Sequence, residues 1–212
     1  MGKKISLKEK AYSSIKEKIL YNMYIPNQYL DEKSLCEELH ISRTPLREAI
    51  NKLEFEGLVH TIPQKGIFVT DLSIKFITEL FQARKVLEPS IASLAIKNLD
   101  KKVLLEFRAE TTRLIECNDT LGLNEFDYKF HNYINKNCNN FHLVKLMTYI
   151  SDQFQRVRTQ NFYPEARTMR GATEHLTIID TIIEEKFDEI PALIKSHISS
   201  TESYYFKSLL SQ

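Results

Sequence analysis

The stretch LDEKSLCEELHISRTPLREAINKLEFEGLVHTIPQKGIFVT, residues 30–70, constrains the fold more than any other part of the chain, because its apolar period changes from helical to alternating. Leu35, Leu39 and Ile41 give a short helix one apolar stripe, and His40-Ile41-Ser42 marks a bend. Ser42 then stands where an N-cap belongs, and Thr44 and Pro45 fill a first turn. Leu46, Ala49, Ile50 and Leu53 recur at the i, i+3, i+4 and i+7 positions of a buried face. The other face keeps Ser42, Arg43, Thr44 and Arg47 at the helix start, where unpaired N–H groups and the helix dipole favour phosphate. A recognition helix enters the major groove of DNA in this way. After Gly57 the pattern alternates through Leu58–Ile62 and Ile67–Thr70 around the turn Pro63-Gln64-Lys65-Gly66, which predicts a two-stranded wing. Lys65 at its tip has the reach for a backbone phosphate or the minor groove, and Gly66 lets the main chain approach without a Cβ in the way. Alone, such a hairpin would be read as a solvated surface loop; the helix pair before it reverses that reading.

The run SRTPLREAINKLEFEGLV followed by PQKGIFV resembles the GntR family of bacterial winged-helix transcription regulators, over residues from about Leu7 to Thr70. That resemblance implies operator contacts at Lys33, Ser42, Arg43, Thr44 and Arg47 from the helix pair and at Lys65 and Gly66 from the wing. Arg43 and Arg47 are then the candidates for bidentate reading of guanine, with Lys33 and Lys65 as phosphate positioners.

A chain of 212 residues with 42 % hydrophobic content exceeds one typical small domain and buries a sizeable core. The expected division is a winged helix-turn-helix domain over residues 1–72 and an all-helical domain over 73–212, with the hinge near Asp71-Leu72-Ser73. Net charge is only +1, but Lys3, Lys4, Lys8, Lys10, Lys16 and Lys18 face only Glu9 and Glu17 in the first eighteen residues. Local rather than spread positive charge disfavours a DNA-packing role. No apolar run approaches the ~20 residues that span a membrane, and no secretory signal is visible, so a cytoplasmic protein is expected. Cys36, Cys117 and Cys138 are odd in number, widely spaced and without a CxxC, which argues against a disulfide framework or a cysteine zinc site.

From Ser73 onward only helical periodicity is visible. Helices are expected at about 74–97, 101–117, 121–137, 141–162, 165–186 and 188–210, joined by short connections and so forming an antiparallel bundle. The fold class is therefore mainly α, a winged helix-turn-helix with a small β-hairpin wing followed by an all-α bundle. Within the bundle Asp127 and His131 are i and i+4, one turn apart on one face. His175 and His197 lie on the fifth and sixth helices. An aspartate with three histidines suits a divalent transition metal such as zinc, nickel or manganese, although each histidine taken singly is better explained as a core or surface residue.

The segments EFDYKFHNYINKNCNN, EHLTIIDTIIEEKFDEI and SHI are similar to the FCD (FadR C-terminal) effector domain found in GntR regulators, over residues 74–210. That resemblance implies that Asp127, His131, His175 and His197 bind a metal beneath a ligand cavity. His40, His60 and His142 fall outside its pattern. The inward stripe Ile77, Leu80, Arg84, Glu88, Ile91 places Arg84 among apolar neighbours, and Ile150, Phe154, Arg158, Phe162 does so for Arg158. Buried arginines seek carboxylates or phosphates. Arg84, and Arg158 second, are thus candidates to hold a small carboxylate effector such as a sugar acid or hydroxy acid; the alternative for Arg84 is an ion pair with Glu88 or Asp127. The expected protein is a homodimeric regulator, a repressor in the commoner family mode, that presents two recognition helices to an inverted-repeat operator and responds to an acid bridging the metal and Arg84. Two other readings stand beside it: the metal itself as the signal, and a metal-dependent hydrolase with Glu174 as general base, which the winged helix does not support.

Overall fold

Ser6 opens the first helix, α1 (Leu7–Leu20), with a reciprocal capping box: its hydroxyl accepts from the Glu9 N–H at 3.2 Å and its own N–H donates to the Glu9 carboxylate at 3.1 Å. This is a computed structural model describing residues 6–160 and 165–211. α2 (Glu32–Leu39) is capped by Asp31, whose carboxylate accepts from the Ser34 N–H at 2.7 Å. It ends at His40, which adopts the left-handed conformation (φ 53°) and so turns the chain toward α3 (Arg43–Phe55). Ser42 occupies the N-cap position of α3 in extended conformation, but its hydroxyl makes no capping bond, leaving it exposed. The face Leu46, Ala49, Ile50 and Leu53 is buried as its spacing predicts. It joins Ala11, Ile15 and Ile19 of α1 and Leu35 and Leu39 of α2 in one apolar cluster.

The wing has one strand more than expected. β2 (Val59–Ile62) and β3 (Gly66–Val69) form the hairpin, and β1 (Tyr29–Leu30) adds antiparallel to the other edge of β3, giving the order β1-β3-β2. Two residues are too few for alternation to register in a sequence, so β1 exists through its register, Tyr29 opposite Phe68 and Leu30 opposite Ile67. Gly66 has φ +107°, and a Cβ built there would lie 2.5 Å from Tyr29 Cε2. The close approach that calls for glycine is therefore to a ring of the sheet itself.

The remaining helices are α4 (Ile74–Ala95), α5 (Lys101–Glu116), α6 (Thr120–Lys136), α7 (Phe141–Arg158), α8 (Glu165–Ile183) and α9 (Ile190–Leu210), with single 3₁₀ turns at Ile96–Asn98 and Phe187–Glu189. Their ends depart from expectation by up to four residues. The expected break at Tyr163-Pro164, and Phe162 of the α7 stripe, lie outside the described residues. Local chemistry sets the other breaks: Asp100 and Asp119 accept from Lys102 N–H at 2.8 Å and Gly122 N–H at 2.9 Å, while Asn118 and Asn139 take positive φ. The chain forms two compact units, one running to Ile74 and including Gln155–Thr159, the other made of Lys75–Phe154 and the residues from Gln160 on. In the second unit α8 packs against α5, α6 and α9, and the core is aromatic, with Phe107 edge-on to Phe126 at 5.4 Å and Phe126 stacked on Phe130 at 6.0 Å. No helix among the described residues is long and apolar enough to cross a membrane.

Candidate metal centre and nucleic-acid interface

Ser42, Arg43, Thr44 and Arg47 all lie exposed at the start of α3. Arg43 has no ion pair among the described residues. Arg47 is engaged: its Nε and Nη2 each donate to Glu32 at 3.3 Å, so a carboxylate of α2 holds the guanidinium that the sequence offers to DNA. Lys33 is exposed, 3.9 Å from Glu37, and Lys65 is exposed at the wing turn.

In the helical unit, Asp127 and His131 from α6, His175 from α8 and His197 from α9 come together, with one ligand atom from each lying within 4.8 Å of all the others. His175 Nε2 is 3.3 Å from both His131 Nε2 and His197 Nε2, and 3.3 Å from Asp127 Oδ1. Donors bound at ~2.1 Å to one ion sit roughly 3.0 to 3.4 Å apart in octahedral or tetrahedral geometry, so the three contacts of His175 have the spacing of a coordination shell, while His131 Nε2 and Asp127 Oδ2, 3.8 Å apart, are set wider. All four residues are buried, and the Phe130 ring, 4.8 Å from that of His175, walls the cluster with apolar surface.

Proton accounting tests the fit. His131 Nδ1 lies 2.9 Å from Glu88 Oε2 and His197 Nδ1 lies 2.7 Å from Glu174 Oε2. Both carboxyls are ionised. Burial alone would raise Glu88, but the charges of Arg84 and His131 outweigh it and hold the group below the usual carboxylate range. Burial would also raise Glu174, but the hydrogen bond from His197 and the charge of Arg167 bring it down to about 2. An ionised carboxylate only accepts, so each partner Nδ1 carries the proton. Burial pushes the His197 imidazole down to about 4 against the pull of Glu174 and Asp127, so this ring is neutral near pH 7. His197 therefore turns an unprotonated Nε2 into the cluster, 3.3 Å from His175 Nε2. A divalent cation fits such a lone pair, with donor atoms of Asp127, His131 and His175 grouped beside it.

Arg84 is buried in α4, and its Nε and Nη2 pair with Glu88 at 2.5 and 3.4 Å, which is the ion-pair alternative. Its Nη1 is buried without a hydrogen-bond partner, and the guanidinium lies 3.6 Å from the Phe154 ring centroid. Arg158 is buried too, but it belongs to the Gln155–Thr159 segment of the first unit and not to the unit that holds the cluster. The sequence reading missed Arg167 of α8, which is 1 % exposed and donates through Nη2 to Glu174 at 2.6 Å and to Thr201 Oγ1 at 2.6 Å. Arg167 and Glu174 are seven apart, two turns on one helix face, a spacing too common among charged residues to single them out.

Comparison with known proteins agrees with this architecture. Residues 7–69 match the model of the gntR family of bacterial regulatory proteins and residues 79–200 match the FCD domain. The chain belongs to the GntR family and carries an FCD domain; its relatives are transcriptional regulators, and it is a regulator rather than an enzyme. It is 30 % identical over 178 residues, 82 % of each chain, to the Nta operon transcriptional regulator of Aminobacter aminovorans. It is 24 % identical to the galactonate operon transcriptional repressor of Escherichia coli, covering 87 % of this chain and 90 % of that one. Among solved structures, E. coli McbR/YncC superposes with a TM-score of 0.83 at 17 % identity, covering 96 % of this chain and 99 % of that one, which shows the shared fold.

Proposed function

We propose that this GntR regulator is a repressor whose operator affinity is set by a small organic acid bound at a metal in its helical domain. The observation carrying the reading is the facing set of His131, His175 and His197 Nε2 atoms beside the Asp127 carboxylate. Asp127, His131, His175 and His197 would hold the ion, with zinc the best match to three imidazoles and a carboxylate and nickel or manganese the alternatives. Bound there, the metal would supply a Lewis-acidic position for an effector carboxylate.

The chain's own residues would do the rest. Arg84, fixed by Glu88 and the Phe154 ring, has one buried N–H set with no partner, and an anion would satisfy it. The similarity to a galactonate repressor supports a sugar acid or related hydroxy acid as the class. Within the DNA unit, Arg43 and Arg47 would read base edges, Ser42 and Thr44 would meet phosphate at the start of α3, and Lys33, Lys65 and the Gly66 main chain would fix the register, in a cytoplasmic homodimer on an inverted repeat. Operator affinity measured with the metal-loaded protein against a panel of monocarboxylates tests this. A several-fold shift with at least one acid, abolished by Arg84→Met, is expected; no shift with any acid refutes the effector reading.

A further inference from the structure

Two of the clustered histidines are backed in the same manner. Glu88 accepts from His131 Nδ1 and is held by Arg84; Glu174 accepts from His197 Nδ1 and is held by Arg167. Each relay crosses between helices, from α4 to α6 in one case and from α8 to α9 in the other. Arg84 is also bid for by an effector in the reading above; Arg167 is tied through Nε and Nη2 and, like Arg84, keeps a buried Nη1 without a hydrogen-bond partner. Its Nε and Nη2 donate to Thr201 Oγ1 at 3.2 and 2.6 Å, and the Thr201 hydroxyl in turn donates to the His197 carbonyl at 2.9 Å. Arg167 Nη2 lies 3.3 Å from His197 Nδ1 as well, yet a guanidinium only donates, and the shorter contact to the Glu174 carboxylate decides where the imidazole proton sits. The second arginine on Glu174, Arg170 at 3.2 Å, is 57 % exposed and screened by solvent.

We propose that Glu174 and Arg167 are positioning residues of the metal centre: Glu174 fixes His197 as the Nδ1–H tautomer with Nε2 free to ligate, and Arg167 fixes Glu174. The inference rests on the metal reading above. It reassigns Glu174, which precedes a ligand in sequence and so invites the role of a hydrolytic base, to the ring of a different histidine on the next helix. A hydrogen-bonded carboxylate also raises the electron density of the imidazole, so the relay governs how tightly His197 holds a cation.

Zinc affinity of the full-length protein, measured by competition with a chromophoric chelator, tests this for the wild type, Glu174→Gln, Glu174→Ala, Arg167→Met and His175→Ala. Glu174→Ala is expected to bind zinc ~10–100-fold more weakly, the usual loss for an outer partner of a ligating histidine. Glu174→Gln is expected to lose less, because its amide oxygen still accepts the Nδ1 proton, and Arg167→Met to fall between them. Imidazole nitrogen NMR of the metal-free protein gives a readout that general destabilisation does not move: the Nδ1–H tautomer of His197 persists in Glu174→Gln and gives way to a mixture of tautomers in Glu174→Ala. If Glu174→Ala does not fold, Glu174→Gln and Arg167→Met carry the comparison, with the metal-free melting temperature of each as control. Wild-type zinc affinity and an unchanged His197 signal in these variants, with zinc lost in His175→Ala, overturn the relay and leave the metal site standing. A wild type that binds no zinc, nickel or manganese overturns the metal reading itself.

Discussion

Replacing Glu32 by Gln should strengthen operator binding, although Glu32 is not among the residues assigned to DNA. Arg47 now spends two donors on Glu32, both at 3.3 Å, with side chains 63 % and 33 % exposed. A pair so exposed is worth up to ~1 kcal/mol, and Arg47 must give it up to present its fork to a base. Glu32→Gln removes that competition and one negative charge from the DNA-facing side, so affinity should rise by up to about fivefold at low salt and the gain should shrink as salt screens the pair. Arg47→Ala should lose roughly 5–150-fold, the ~1–3 kcal/mol of a bidentate base contact. In the Arg47→Ala background, Glu32→Gln should retain only a small gain from the lost charge. Fluorescence anisotropy of a labelled operator across a salt series measures all four proteins. A Glu32→Gln variant that binds more weakly than wild type would refute the reasoning, because Glu32 would then be holding Arg47 in its reading pose.

Gly66→Ala forces a side chain into a left-handed backbone and against Tyr29 Cε2, at a cost of about 1–3 kcal/mol. The melting temperature of the winged-helix unit should fall by at least several degrees, and an unchanged value contradicts the Tyr29 contact. Acid should destabilise the metal-free protein from about pH 6.5 downward. His197 is depressed to about 4 when folded against an ordinary value near 6.5, so the unfolded chain binds more protons in that window. The stability is full above pH 6.5 and about 3 kcal/mol is lost by pH 4; Glu174, held at about 2, adds a further loss below about pH 4.5. Urea unfolding in the presence of a chelator measures this, and flat stability between pH 7 and 5 refutes a neutral His197.

The DNA-binding unit was legible because its signals are local. The stripe Leu46, Ala49, Ile50, Leu53 and the positions of Ser42 and Gly66 each follow from one or two turns of chain. What escaped was nonlocal or too short: β1 is two residues, and the grip of Glu32 on Arg47 joins two helices fifteen residues apart. At the metal cluster only Asp127 and His131 share a helix, so periodicity pairs them alone; His175 and His197 joined them as residue types that suit a metal, and resemblance to the FCD domain strengthened the set. The inward stripe of α4 placed both Arg84 and Glu88 inside, but not the contact of Glu88 with His131, which depends on how α4 and α6 pack. Arg158 is buried as its stripe predicts, but burial of a helix face does not name the anion it meets.

The most direct test of the account is elemental analysis of the purified wild type beside the His131→Ala/His175→Ala double mutant, each checked for folding by circular dichroism and for operator binding. Near one equivalent of zinc, nickel or manganese per chain in the wild type, lost in a folded and DNA-binding mutant, is the result the account predicts. Metal-free wild type that still binds operator after reloading with each ion has been attempted would contradict it, and would make the three histidines and Asp127 a buried polar core rather than a metal centre.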